Sequence, residues 1–175
     1  MFYNCTSLTT APSALPATTL PSIGYYAMFS GCTSLTTAPI ISATTIGTSG
    51  CTDMFASCTS LTTVQNTLSA TTLADHCYHG MFYKCTSLTT APALPATTMA
   101  NSCYYGMFDA CTSLVATPEL PATTLANNCY KSMFNGCTSL TTAPSELPAT
   151  TLANYCYSYM FQGCTSLTTA PSLPA

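Results

Sequence analysis

Cysteines are the most numerous side chains in this sequence that could carry reactive chemistry, and they recur at regular intervals. There are twelve of them, in two columns. The first column consists of Cys5, Cys32, Cys58, Cys85, Cys111, Cys137 and Cys164. The second consists of Cys77, Cys103, Cys129 and Cys156, with Cys51 displaced by one residue and Gly24 where a cysteine would stand. Thiols at such intervals could form disulfides, bind a metal ion or act as nucleophiles.

The spacing of the cysteines favours packing over these three chemistries. A zinc site is not indicated, because no Cys-x-x-Cys occurs and the columns repeat without histidine. A nucleophilic cysteine needs a lowered pKa beside a base, whereas these cysteines occupy equivalent apolar positions. Disulfides between columns, as in Cys85 with Cys103, remain geometrically open and would leave Cys5 and Cys164 unpaired. We expect buried free thiols that pack as small hydrophobic side chains.

His76 and His79 form the other cluster of potential ligands, with Asp75 beside them and Cys77 between them. A metal ion held by two imidazoles would need a third donor, and Asp75 is the single candidate nearby. Because Cys77 belongs to a cysteine column, we expect both histidines to point outward into solvent. The five acidic residues lie in different copies of the repeat or at different phases, so they offer no carboxylate pair for acid–base catalysis. The sequence therefore predicts no catalytic residue, no metal site and no cofactor.

The elements that position these residues follow from an internal repeat. The phrase Met-Phe-x-x-Cys-Thr-Ser-Leu occurs seven times, and successive copies begin 27, 26, 27, 26, 26 and 27 residues apart. A period of this length is typical of supersecondary units that bury their apolar faces only by stacking on one another. We therefore predict that residues 1–175 form one solenoid of about six and a half repeats, and interpret the chain as an excerpt of a longer protein.

Each repeat predicts one short helix and two short strands. Apolar residues four apart, such as Cys129, Met133 and Cys137, indicate one face of a short helix or 3-10 segment. The Thr-Ser-Leu-Thr-Thr-Ala-Pro stretch that follows, and the later Leu-Pro-Ala-Thr-Thr-Leu stretch, are β-prone. Stacked copies would pair each strand with its equivalent in a parallel ladder. The predicted fold class is therefore an α/β solenoid with short parallel strands and a short helix or 3-10 segment in each repeat.

The same alignment of copies predicts a core and a surface. We expect the seven phenylalanines to form one continuous spine, and the core columns to include Phe29, Cys32, Leu35, Phe108, Cys111, Leu114, Cys129, Phe134, Cys137 and Leu140. Variation between copies concentrates aromatic and cationic residues at the outer positions of the helix, which suits contact with a partner. The candidate binding surface consists of Tyr26, His79, Tyr83, Lys84, Tyr105 and Lys131. Thr-Thr pairs should leave at least one hydroxyl of each rung in solvent.

Composition excludes several classes of function. Charged residues make up 4% of the chain and the net charge is −3, so no basic patch exists for nucleic acid. Apolar runs are only a few residues long, which predicts no membrane span. So few charges also do little to prevent self-association into oligomers or filaments.

The motif Phe-x-x-Cys-Thr-Ser-Leu-Thr-Thr followed by proline resembles the BspA-like, Treponema-type leucine-rich repeat along the whole chain. The repeats here are longer than those of the family, and alanine stands before the proline where the family usually has valine or isoleucine. The resemblance implies a leucine-rich-repeat-like solenoid and carries over no catalytic residue. It also implies a bacterial cell-surface protein that adheres to host matrix proteins or to other cells.

The function expected from the sequence is therefore structural and adhesive rather than enzymatic. The expected location is extracellular or at the cell surface, and the expected partners are host or neighbouring-cell proteins or glycans. Two alternatives remain open at this stage: a subunit that stacks end to end into filaments, and a segment of a receptor-binding phage fibre.

Overall fold

Short parallel strands join equivalent parts of successive repeats. The structure, a computed structural model, describes residues 1–65 and 67–174. Four strands of two residues each are present in this part: β1 (Ala14–Leu15), β2 (Thr19–Leu20), β3 (Ile40–Ile41) and β4 (Thr45–Ile46). Strand β1 pairs in parallel with β3, and β2 pairs in parallel with β4. Each repeat is therefore one coil of a solenoid, lying beside the next.

Isolated parallel bridges continue the pairing through the later coils. The first series joins the Leu-Thr-Thr positions of neighbouring coils, the second joins residues that come after the next proline, and the third joins the Ala-Thr-Thr positions. The bridged pairs are Thr37–Thr63, Thr90–Ala116, Ala116–Thr142, Thr67–Ala93, Glu146–Ser172, Thr45–Thr72, Thr98–Thr124 and Thr124–Thr151. Where two threonines are adjacent in the sequence, as at Thr97 and Thr98, both side chains are exposed. The prediction of short parallel strands is confirmed.

The predicted helix or 3-10 segment in each repeat is wrong. Across residues 1–65 and 67–174 no helix is found, and consecutive turns replace it. The Met133 amide donates to the Tyr130 carbonyl three residues back at 3.2 Å, while the Phe134 amide donates to Met160 of the next coil at 2.9 Å. An α-helix would require both amides to bond four residues back, and a 3-10 helix would require both to bond three residues back. Since the neighbouring coil supplies every second acceptor, that helical ladder does not form.

The core is a set of side-chain columns that run along the solenoid axis. The seven phenylalanines stack in six successive pairs with ring centroids 5.4–5.7 Å apart and ring planes within 12° of parallel. The prediction of a continuous phenylalanine spine is confirmed. All ten residues predicted as core columns are buried. In the part of the chain that the structure describes, no helix is long and apolar enough to cross a membrane.

Candidate functional site: an outer turn face

The turns that replace the helix place side chains inward and outward at fixed positions. In the coil from Ala126 to Cys137, Asn128, Ser132 and Gly136 adopt left-handed conformations, with φ of 54°, 54° and 69°. Each of them is the third residue of a hydrogen-bonded turn, where a type II turn requires positive φ. Because the pattern repeats every four residues, the buried positions also recur every four residues.

Buried residues anchor the turns from inside. The position that follows the second cysteine column is occupied by Tyr78, Tyr104, Tyr130 and Tyr157, whose rings stack at 5.7–6.0 Å. Cys51 takes this tyrosine position in its own coil: its amide donates to Cys77, as the Tyr78 amide donates to Cys103. The one-residue displacement of Cys51 seen in the sequence therefore reflects an exchange of columns.

The residue that follows this tyrosine position in each coil forms a second column, further from the core. We call this column, together with Tyr155 and His76, the outer face. This column consists of Tyr26, His79, Tyr105, Lys131 and Ser158, whereas Thr52 at the equivalent position is buried. The imidazole of His79 stacks on the Tyr105 ring, with centroids 4.7 Å apart and planes 7° from parallel. The Lys131 ammonium lies 5.4 Å from the centroid of the Tyr105 ring and 5.4 Å from that of Tyr155. Four coils thus contribute to one continuous aromatic and cationic surface.

Tyr155 is a part of this face that the predicted surface omitted. It is 67% exposed. It immediately precedes Cys156, as His76 immediately precedes Cys77. That shared position was a signal in the sequence, because an outward His76 implies an outward Tyr155.

The two histidines approach each other closely. Their Nδ1 atoms are 3.5 Å apart, and their ring centroids are 5.6 Å apart with planes tilted by 38°. His76 is exposed, as expected, whereas His79 is half-buried under its stacking partner. Burial lowers the pKa of His79, and the neighbouring His76 adds to this effect. In the described part of the chain, no group of three or more His, Cys, Asp and Glu side chains could hold a metal ion.

Tyr83 and Lys84 lie four and five residues beyond His79, at a second outer position of the same coil, whereas Tyr26 belongs to the column already described. Lys84 lies with its ammonium 5.0 Å from the centroid of the Tyr83 ring. Tyr83 and Tyr26 line a shallow groove together with Tyr3 and Asp53. Of the six predicted residues, His79, Tyr105 and Lys131 are thus in contact, Tyr26 and Tyr83 line the groove, and Lys84 lies against the Tyr83 ring.

The cysteines are held as packed thiols. All twelve are free, and all but Cys5 and Cys164 are buried. Members of the first column donate to the phenylalanine carbonyl of the preceding coil, as Cys111 Sγ does to Phe82 at 3.0 Å. Burial raises the pKa of Cys58 to about 12 and that of Cys129 to about 11. Thiols with such pKa values are protonated at neutral pH, so these groups are not activated nucleophiles.

The fold and the repeated motif together define a protein family. The family model described as the BspA type leucine rich repeat region matches six copies, over residues 1–115 and 78–172. The chain belongs to the BspA-type leucine-rich repeat family, which confirms the resemblance inferred from its motif. Leucine-rich repeats are domains for protein interaction and are generally non-enzymatic scaffolds. BspA-type repeats typically occur on bacterial surfaces or in secreted proteins.

Two solved structures are similar to this chain. A leucine-rich repeat protein of T. pallidum is 22% identical, with a TM-score of 0.48 over 91% of this chain and 65% of that protein. A leucine-rich repeat protein from Bacteroides ovatus is 17% identical, with a TM-score of 0.31 over 95% of this chain and 61% of that protein. The chain therefore spans less than two thirds of either solved chain. No curated protein matches the sequence.

Proposed function

We propose that this chain is a non-enzymatic adhesive domain of an extracellular bacterial surface protein, and that it binds a partner protein through the outer face. The observation that carries the proposal is the continuous contact of His79, Tyr105, Lys131 and Tyr155 across four coils. Tyrosine offers a large, amphipathic contact area, and aromatic residues are enriched at the centres of protein interfaces. Only 4% of the residues of the whole chain are charged, so cationic anchors are few.

The environment of Tyr105 favours a protein partner over a glycan. A sugar ring that stacks on an aromatic side chain needs one open ring face. The two faces of Tyr105 are turned toward the neighbouring coils, where His79 stacks at 4.7 Å and Lys131 lies 5.4 Å away. Its edge and hydroxyl remain available, since Tyr105 is half-exposed. Edge and hydroxyl contacts suit the mixed apolar and polar surface of a protein.

The charge of this face favours a partner surface that presents carboxylates. Lys131 is one of only two lysines, and its ammonium lies 5.4 Å from the ring centroids of both Tyr105 and Tyr155. A cation held between two aromatic rings is partly desolvated, which strengthens its attraction to an opposite charge. Binding should therefore weaken as salt concentration rises.

Binding to immobilised extracellular-matrix glycoproteins tests the proposal. The panel is used in its native form and after enzymatic removal of glycans, so that protein and glycan recognition are separated. Tyr105→Ala and Lys131→Ala should each lower the affinity about tenfold or more, as truncation of an interface anchor commonly does. Lys84→Ala tests the second outer position, beside Tyr83, in the same assay.

A matched control is Thr98→Ala, which truncates an exposed residue on the strand side of the coil. This variant should bind as the unmodified chain does. Unchanged binding by both Tyr105→Ala and Lys131→Ala would refute the proposed surface, and binding that disappears with the glycans would refute a protein partner. Long uniform fibres in negative-stain micrographs of the purified chain would favour the filament alternative instead.

A further inference from the structure

We propose that His76 and His79 form a two-imidazole site for a divalent transition-metal ion of the Ni²⁺, Cu²⁺ and Zn²⁺ class, with water completing the coordination. The carrying observation is that the two Nδ1 atoms face each other at 3.5 Å. Imidazole nitrogen is a preferred ligand of these ions. The site is independent of the proposed adhesive function, since it requires no partner protein.

The distance between the nitrogens fits a bent chelate. A metal–nitrogen bond is about 2.0–2.1 Å long, so two imidazoles on one ion are about 4.2 Å apart in a linear arrangement, about 3.4 Å apart in a tetrahedral one, and about 2.9 Å apart at the neighbouring octahedral positions of Ni²⁺. The observed Nδ1–Nδ1 separation of 3.5 Å lies close to the tetrahedral value. Small rotations of the exposed His76 ring are enough to aim both lone pairs at one ion.

The backbone holds the two histidines in place. They are the first and last residues of one turn, in which the His79 amide donates to the His76 carbonyl at 3.1 Å. The two residues between them, Cys77 and Tyr78, are 0% and 1% exposed and anchor the turn in the core. The His76 amide donates to Asn101 of the next coil at 3.0 Å. Ligands carried on such a fixed backbone lose little entropy when they bind an ion.

The ring of His79 is also held in orientation. It stacks on Tyr105 at 4.7 Å, which limits its rotation and leaves the edge that carries Nδ1 facing His76. In the metal-free pair, one Nδ1 donates its proton to the other. Binding requires that both rings carry their proton on Nε2, so the shared proton moves from Nδ1 to Nε2 through solvent. A neutral pair therefore releases no net proton.

The histidine pair is peculiar to one coil. The equivalent positions hold Ser102 and Tyr105 in the next coil, and Asn128 and Lys131 in the one after. The turn therefore forms without imidazoles at either position, and the fold does not require the pair. The sequence predicted no metal site because a third protein donor seemed necessary. Asp75 does not supply it, since no group of three such donors exists among the described residues, and water would take the remaining positions.

Calorimetric titration with NiCl₂ tests the site. The full chain is stripped of metal, kept reduced, and carries Cys5→Ser, which removes the exposed thiol. We expect one saturable site per chain and weak visible bands of nitrogen- and oxygen-ligated Ni²⁺. His76→Gln and His79→Gln should each reduce the affinity about tenfold or more, as loss of one of two ligands implies. Thr98→Ala, an exposed position on the strand side of the coil, is the control and should leave metal binding unchanged.

Three outcomes overturn the inference: no saturable binding, binding that survives both histidine substitutions, or an intense near-ultraviolet thiolate-to-metal band. Circular dichroism on each variant establishes that it is folded. His76 is exposed, so His76→Gln should retain the fold and keeps the test decisive if His79→Gln does not. Because the readout uses the ion alone, its failure leaves the partner-binding result unaffected.

Discussion

Substitutions in the phenylalanine spine should have a large effect on the free energy of unfolding, and the effect should depend on the position in the spine. Phe108 is 0% exposed and stacks on Phe82 at 5.5 Å and on Phe134 at 5.6 Å. Removing a fully buried phenylalanine costs about 3–5 kcal/mol, because apolar contact is lost and a cavity remains. Phe161, by contrast, is partly exposed and stacks on Phe134 at 5.6 Å. We expect Phe161→Ala to lower the free energy of unfolding by about 1–2 kcal/mol, since less area is lost.

Urea denaturation followed by circular dichroism and tyrosine fluorescence measures this difference. A loss of about 3–5 kcal/mol is a large part of the stability of a typical domain, so Phe108→Leu provides a milder variant that keeps the chain folded. In a solenoid each coil contacts only its neighbours, so a central lesion weakens the contacts on both sides. Equal losses for Phe108→Ala and Phe161→Ala, or a loss below about 1 kcal/mol for Phe108→Ala, would refute the continuous spine.

Three further predictions follow from the turns, the cysteines and the histidines. Ile23 is 63% exposed and has a φ of 63°. Ile23→Gly should therefore stabilise the chain by about 0.5–1 kcal/mol in urea denaturation, whereas Ile40→Gly in β3 should destabilise it. A lower free energy of unfolding for Ile23→Gly would contradict the left-handed turn. Thiol titration should detect rapid reaction at Cys5 in the native chain and all twelve thiols under denaturing conditions, whereas about two thiols would indicate disulfides between coils. Burial lowers the pKa of His79 below its ordinary value of 6.5, so the unfolded chain binds this proton more tightly than the folded one. The free energy of unfolding should therefore fall as the pH drops below about 6.5, and His79→Gln should reduce that fall. An identical pH dependence in the unmodified chain and the His79→Gln variant would show that His79 is not the group responsible.

The sequence predicted the columns because their period is long and regular, but it could not distinguish a helix from a run of turns over so short a segment. Residues four apart lie on one face in both structures, and they drift by about 40° per step in a helix. Part of the distinguishing signal was present at Asn128 and Gly136, whose residue types favour left-handed conformations, whereas Ser132, midway between them, carries no such preference. Burial of adjacent pairs such as Met133 and Phe134 also fits turns better than one helical stripe.

The candidate surface was predicted in outline, because variation between copies marks positions that packing does not fix. Its contacts were beyond the sequence, since they depend on how each coil lies beside the next. The stacking of His79 on Tyr105 and the placement of Lys131 near Tyr155 both join residues of different coils. The approach of His76 to His79 depends likewise on a turn that the sequence did not predict.

Neighbouring coils supply the hydrogen-bond acceptors that a helix would supply internally. Scalar couplings across hydrogen bonds, measured by NMR between amide nitrogens and carbonyl carbons in labelled protein, detect these inter-coil bonds. We expect a coupling from the Phe108 amide to the Met133 carbonyl, which are joined at 2.9 Å, and one from the Met107 amide to the Tyr104 carbonyl at 3.2 Å. A coupling from the Phe108 amide to the carbonyl of Tyr104, four residues back, would contradict the account.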